Sequence, residues 1–179
     1  MAKSSRLLDQ FAQPLACTLS ASALASTTAY SQIATAYSAK DRVGLVLHAI
    51  EYMPRAINGV FDTAGDTVRF GLAVSSAQPT GGFLNTTPGV LDYNVLERSD
   101  IGAAAVAFYN NIVRIFKDFS NLPGGGYLLH PSFLFAWSYT VAALGTTFPI
   151  DIRLWYTIKA ISDADYTDLW QNMILLTTV

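Results

Sequence analysis

Asp151-Ile152-Arg153-Leu154-Trp155-Tyr156-Thr157-Ile158-Lys159-Ala160 is the stretch on which the reading of this chain turns. Ile152, Leu154, Tyr156, Ile158 and Ala160 alternate with Asp151, Arg153, Trp155, Thr157 and Lys159. A period of two is that of a β-strand with one face buried and the other turned to water or to a partner. Just beyond it, Ser162 suits a helix N-cap, because its hydroxyl can accept from a backbone N–H three residues on. Asp163, Asp165 and Asp168 suit the positive end of a helix dipole. The chain is therefore expected to close with a strand and a short helix over residues 162–173.

Upstream, the same two-residue period recurs between turn signals. Arg42 to Met53 is apolar on both alternating faces and reads as a central strand, ended by Pro54. Val68, Phe70, Leu72 and Val74 mark a half-buried strand over Thr67 to Val74. Gln78-Pro79, Thr80-Gly81-Gly82 and Pro88-Gly89 make Ser75 to Asp100 the long loop of the domain. Asn110-Asn111 is expected to turn a hairpin between Ile101–Tyr109 and Ile112–Phe119. Pro123-Gly124-Gly125-Gly126 reads as a flexible break.

Tyr127 to Leu144 is the most apolar run, close to the roughly 20 residues that a membrane-spanning helix needs. His130-Pro131 near its start, the interrupting Ser132, Ser138 and Thr140, and the alternation of Phe133, Phe135, Trp137, Tyr139 and Val141 favour a strand instead. Ahead of all these, Leu7, Leu8 and Phe11 are spaced for a short amphipathic helix, and Pro14 to Ser38 carries no charge at all. That Ala/Ser/Thr-rich segment is expected to be an extended arm that joins a sheet or a neighbouring subunit. Its alternative reading is a first strand over Thr27 to Tyr37.

Of the 179 residues, 51% are hydrophobic and only 13% charged, more apolar surface than one small core conceals. Burial against other chains is the expected remedy. A net charge of −2 with scattered basic residues gives no electrostatic footprint for nucleic acid, so sequence-specific binding is not expected. The single cysteine, Cys17, excludes an internal disulfide and a cysteine-based zinc cluster. Lys3 and Arg6 ahead of Leu15 to Leu24 imitate a signal peptide, but Asp9 and Gln10 interrupt it, so export is not expected.

Chemistry is sparse. His48, Glu51 and His130 stand at no recognised catalytic spacing, and His48 and Glu51 fall on opposite faces of a regular strand. Gly124-Gly125-Gly126 has no following Lys-Ser or Lys-Thr and is no phosphate cradle. Asp163, Asp165 and Asp168 lack the glycine and closing glutamate of a calcium loop, which leaves helix capping. No catalytic, metal or cofactor site is expected. Trp155 between Arg153 and Lys159, on the outer side of a strand, is the composition of a contact surface or of a face that a loop folds over.

Counting gives about seven or eight short strands between Gly, Pro and Asn turns, the spacing of a sandwich or barrel. This pattern, an uncharged arm at Pro14 to Ser38 and then strands joined by loops such as Gln78 to Gly89, resembles the small single jelly-roll capsid proteins of icosahedral viruses. The resemblance implies an all-β fold: a single jelly-roll β-sandwich over residues 39–179 with its C-terminal helix, preceded by an extended N-terminal arm over residues 1–38. It implies a structural, non-enzymatic protein of the virion that self-assembles into a shell. Its partners would be other copies of itself and other capsid proteins. Without a basic arm, the genome would be met by electroneutral surfaces, another protein or an inner membrane. Trp155, Arg153 and Lys159, with Tyr30, Ile33 and Tyr37 of the arm, are the expected subunit contacts. The competing reading is a β-sandwich adhesion, pilus or ligand-binding module, with a concave site lined by the aromatic strand.

Overall fold

A computed structural model of the chain describes residues 13–35, 37, 42–55, 59–74, 82–84, 86–100, 107–109 and 114–177. The short helix expected before Gln13 lies outside them. Ten strands are described: β1 (Gln13–Ala21), β2 (Thr27–Gln32), β3 (Val43–Pro54), β4 (Thr67–Ala73), β5 (Val90–Asp100), β6 (Ala107–Tyr109), β7 (Ile115–Asp118), β8 (Tyr127–Leu129), β9 (Phe135–Thr140) and β10 (Phe148–Ala160). One helix, α1 (Asp163–Thr177), follows them.

The strands form two antiparallel sheets. The first runs β1-β10-β3-β7, with β8 also paired to β3, and the second runs β2-β9-β4-β5-β6. Pairing along β3 shows that β7 and β8 share one edge position: β7 lies against Ala49 to Tyr52 and β8 against Leu45 to Leu47. The chain crosses between sheets at nearly every connection. Only β4, β5 and β6, and the edge pair β7 and β8, follow one another within a sheet. This wrapping, two interleaved Greek keys, is a single jelly roll.

β10 is a central strand of the first sheet because its two-residue period matches strands on both sides. Leu154 stands opposite Leu15 of β1 and Ile50 of β3, and Ile152 opposite Cys17 and Tyr52. These side chains meet Val68, Phe70 and Leu72 of the second sheet in one core. Tyr52 meets Phe70 edge-on across the sheets, with ring centroids 5.3 Å apart. Small inward residues of β9, Ala136, Ser138 and Thr140, leave room for that packing. The Thr140 hydroxyl donates to the Ser22 carbonyl at 2.7 Å, so its burial is compensated.

Several expectations are corrected. Residues 90–100, assigned to the long loop, are β5: Asp92, Asn94 and Leu96 are inward and Val95 and Glu97 outward, so polar residues at core positions disguised the alternation. Asn110-Asn111 lie outside the described residues, but the described flanks of the expected hairpin do not pair with each other: β6 pairs with β5 in the second sheet and β7 with β3 in the first. The Pro123 to Gly126 break is a tight turn in which Gly124 and Gly125 take φ of 85° and 77°. A Cβ on Gly126 would lie 2.3 Å from the Leu47 carbonyl oxygen, so only glycine lets the turn return beside β3.

Tyr127 to Leu144 is β8, a turn at His130 to Leu134, and β9, in different sheets. Among the described residues no helix is long and apolar enough to cross a membrane. The closing helix begins as expected, with the Ser162 hydroxyl accepting from the Asp165 N–H at 3.2 Å, and runs on to Thr177. The uncharged stretch after Pro14 supplies β1 to the first sheet and β2 to the second. A cut at residue 38 therefore removes a strand from each.

Candidate assembly surface

Strand parity alone sends Arg153, Trp155, Thr157 and Lys159 to the outer side of the first sheet, because Leu154, Tyr156 and Ile158 hold the inner side. What surrounds them depends on a bulge. Ala49 stands opposite Trp155 and Leu47 opposite Tyr156, which leaves His48 as an extra residue in β3. The inserted residue turns His48 outward together with Ala49, and Glu51 then also falls outside. His48 and Glu51 therefore share a face, against the expectation for a regular strand. The phase of alternation shifts from Leu45 and Leu47 to Ile50 and Tyr52, but apolar Val46 and Ala49 on the other side hide that shift in the sequence.

His48 serves the fold. Its Nδ1–H donates to the Gly125 carbonyl at 2.6 Å, and Nε2 meets the Thr157 hydroxyl at 2.8 Å, tying the glycine turn to β10. Beside it, the small Ala49 leaves space for the half-buried Trp155 ring. Phe116 of β7 packs edge-on against that ring at 5.8 Å while remaining 52% exposed. Arg153 lies over the other part of the indole, 6.0 Å from its centroid.

Beneath them Glu51 is buried, an acidic side chain at 1% exposure. Arg114 pairs with its Oε1, and Arg153 approaches Oε2 at 3.8 Å. That Oε2 accepts no hydrogen bond among the described residues. The Arg153 guanidinium, half exposed, thus has a long contact with its carboxylate, leaving donor capacity for a further acceptor. Farther along β10, Arg55 forms a two-point ion pair with Asp151, which also accepts from the Thr18 hydroxyl at 2.7 Å. The Arg55 guanidinium holds the Asp151 carboxyl below its ordinary range. Val46 and Leu128, the latter 41% exposed, extend the apolar part toward Lys159.

The other expected contact residues are elsewhere. Tyr30 lies on the outer side of the second sheet, stacked on Phe135 at 5.0 Å. Ile33, 2% exposed, is in the main core, and Tyr37 packs partly buried against that core. The aromatic side of β9 also faces outward from the second sheet. There Trp137, wholly buried, packs against Phe83, with Tyr30, Tyr93 and Tyr139 around them. A segment of the long loop thus covers the surface expected to form an open concave site.

Sequence reasoning missed a second polar group. Asp92, buried between the sheets, accepts from Asn94 Nδ2 at 2.6 Å and pairs with Lys117 of β7. Burial first, and then the Asp92 charge, push the Tyr52 hydroxyl well above the usual phenol range. These residues tie β3, β5 and β7 together at the open edge of the sandwich. Their signal was hidden because residue 92 was read as loop.

No known family and no curated protein matches the sequence. Solved structures do match. VP1 of Trichodysplasia spinulosa-associated polyomavirus in complex with 3′-sialyllactose is similar at 8% identity and a TM-score of 0.54, over 86% of this chain and 96% of that one. The same protein with GM1 oligosaccharide gives 7% identity and a TM-score of 0.51, over 86% and 97%. A structure of tomato aspermy virus gives 11% identity and a TM-score of 0.44, over 86% and 80%. At such identities the polyomavirus likeness bears on fold. The chain is an all-β single jelly roll that resembles viral capsid proteins.

Proposed function

We propose that this chain is a structural subunit that self-assembles into the closed shell of a virion, with the outer side of its first sheet as a contact between copies. The observation that carries the reading is the group of Trp155, Phe116 and Arg153 over Glu51 on the outside of a jelly roll. An aromatic pair beside an incompletely paired arginine is the composition of an interface anchor. A monomer gains little from holding Phe116 half in water. Lys159 extends the same face, and a composition of 51% hydrophobic against 13% charged residues supports burial between chains.

The adhesion or ligand-binding reading is weakened by the aromatic side of β9, which Phe83 already occupies. Sedimentation velocity on the purified chain tests the proposal. Large symmetric particles, or pentamers or hexamers, are expected, and replacing both Trp155 and Arg153 by alanine should shift them toward monomer. A species that stays monomeric at high concentration would sink the proposal.

A further inference from the structure

His130 lies in the connection between β8 and β9 and is fully buried. Its Nδ1 accepts the Ser132 backbone N–H at 3.1 Å, so that nitrogen carries no proton. The proton is therefore on Nε2, which donates to the Tyr166 hydroxyl of α1 at 2.5 Å. Three rings enclose the imidazole: Phe133 at 5.2 Å, Tyr166 at 5.1 Å and Trp170 at 5.0 Å. Phe133 and Trp170 also touch each other at 5.3 Å, so the same cage docks α1 on the sandwich.

The cage is built for a neutral ring. A second proton on Nδ1 would face the Ser132 N–H donor to donor and place a charge in a fully buried site. The titratable group facing the ring from α1 is Tyr166, a phenol. The β8–β9 connection contributes Ser132 and Phe133, which carry no charge. Among the described residues no carboxylate pairs with His130. Asp163 is engaged by Arg42 and Asp165 by Ser162, while Asp168 is exposed.

We propose that His130 is an acid-sensitive latch: neutral, it clamps α1 to the sandwich through Tyr166 and Trp170, and protonated, it lets the helix go. This inference does not depend on the shell reading. Burial lowers the His130 pKa from the ordinary 6.5, so the undocked state binds the proton more readily than the docked one. Docking is then at full strength above about pH 6.5, weakens by up to about tenfold per pH unit as pH falls from there toward the lowered value, and levels off below it.

Hydrogen exchange on the full chain between pH 7.5 and 5, corrected for intrinsic amide rates, reads the release. Protection in residues 163–177 should fall while protection in β10 holds, and His130→Asn, which keeps an acceptor for the Ser132 N–H, should remove the pH dependence. Unchanged α1 protection across the range, or the same pH dependence in the variant, would overturn the proposal. Should His130→Asn fail to fold, the unmodified chain decides the matter by NMR. The ring titration of His130, one of two histidines, must share its midpoint with α1 release, and separate midpoints refute the latch.

Discussion

Trp155→Ala separates a contact residue from a core residue by magnitude. In the isolated subunit the indole loses two contacts: the edge-on Phe116 ring at 5.8 Å and the Arg153 guanidinium at 6.0 Å. An aromatic pair contributes about 0.5–1.5 kcal/mol beyond area burial, and a cation at the outer limit of ring attraction adds about 0.5 kcal/mol. With about 1 kcal/mol more for the area of the half-buried ring, stability should fall by about 2–3 kcal/mol, read as a shift of the denaturant midpoint with unchanged slope. A tryptophan spent on the core would cost about 3–5 kcal/mol. At an interface, an aromatic anchor contributes about 2 kcal/mol or more, so each contact should weaken about 30-fold. Denaturation under dissociating conditions and a sedimentation concentration series give the two numbers. Loss of about 4 kcal/mol from the subunit, with assembly unaltered, would refute the reasoning.

Two further predictions concern the sandwich itself. Gly71→Ala places a Cβ 1.9 Å from the Asp92 carbonyl oxygen of the adjoining strand, so β4 and β5 must part. Thermal unfolding should show a loss of about 3 kcal/mol or more, and a neutral effect would contradict the pairing of Gly71 with Tyr93. Cys17 faces inward from β1, and burial with the Asp151 charge pushes its thiol from 9.0 up to about 11. Its thiolate fraction at neutral pH is then about 100-fold below that of an ordinary thiol, so alkylation followed by mass spectrometry should be correspondingly slow; labelling at the rate of a free thiol would place Cys17 outside the sheet.

The parts of this fold that follow regular periods were legible in the sequence. β10, β3 and β4 stand where alternation put them, because each buries one or both sides, β3 with a single bulge at His48. Polar groups at inward positions obscured β5, where Asp92 and Asn94 are satisfied by Lys117 and by each other. The glycine turn was misjudged for a different reason: Gly124 to Gly126 have the composition of a flexible break but answer to a specific close approach beside Leu47. The contact surface was legible only as parity. Alternation places Arg153, Trp155 and Lys159 outside, but that Phe116 reaches Trp155 and Glu51 lies beneath both depends on the pairing of β3 with β7 and on the His48 bulge. Long-range register leaves no mark in local pattern, and the change of phase at the bulge is hidden because β3 is apolar on both sides. Ile33 shows the converse: the alternative reading of a first strand over Thr27 to Tyr37 pointed toward β2, while the expectation of a subunit contact missed that Ile33 fills the main core.

Electron microscopy of the purified chain, with sedimentation of the same material, tests the central claim most directly. The account predicts closed, symmetric particles or their pentameric or hexameric building blocks, lost when Trp155 and Arg153 are both replaced by alanine in a chain that remains folded. A monodisperse monomer at high concentration, or particles indifferent to that double replacement, would contradict it.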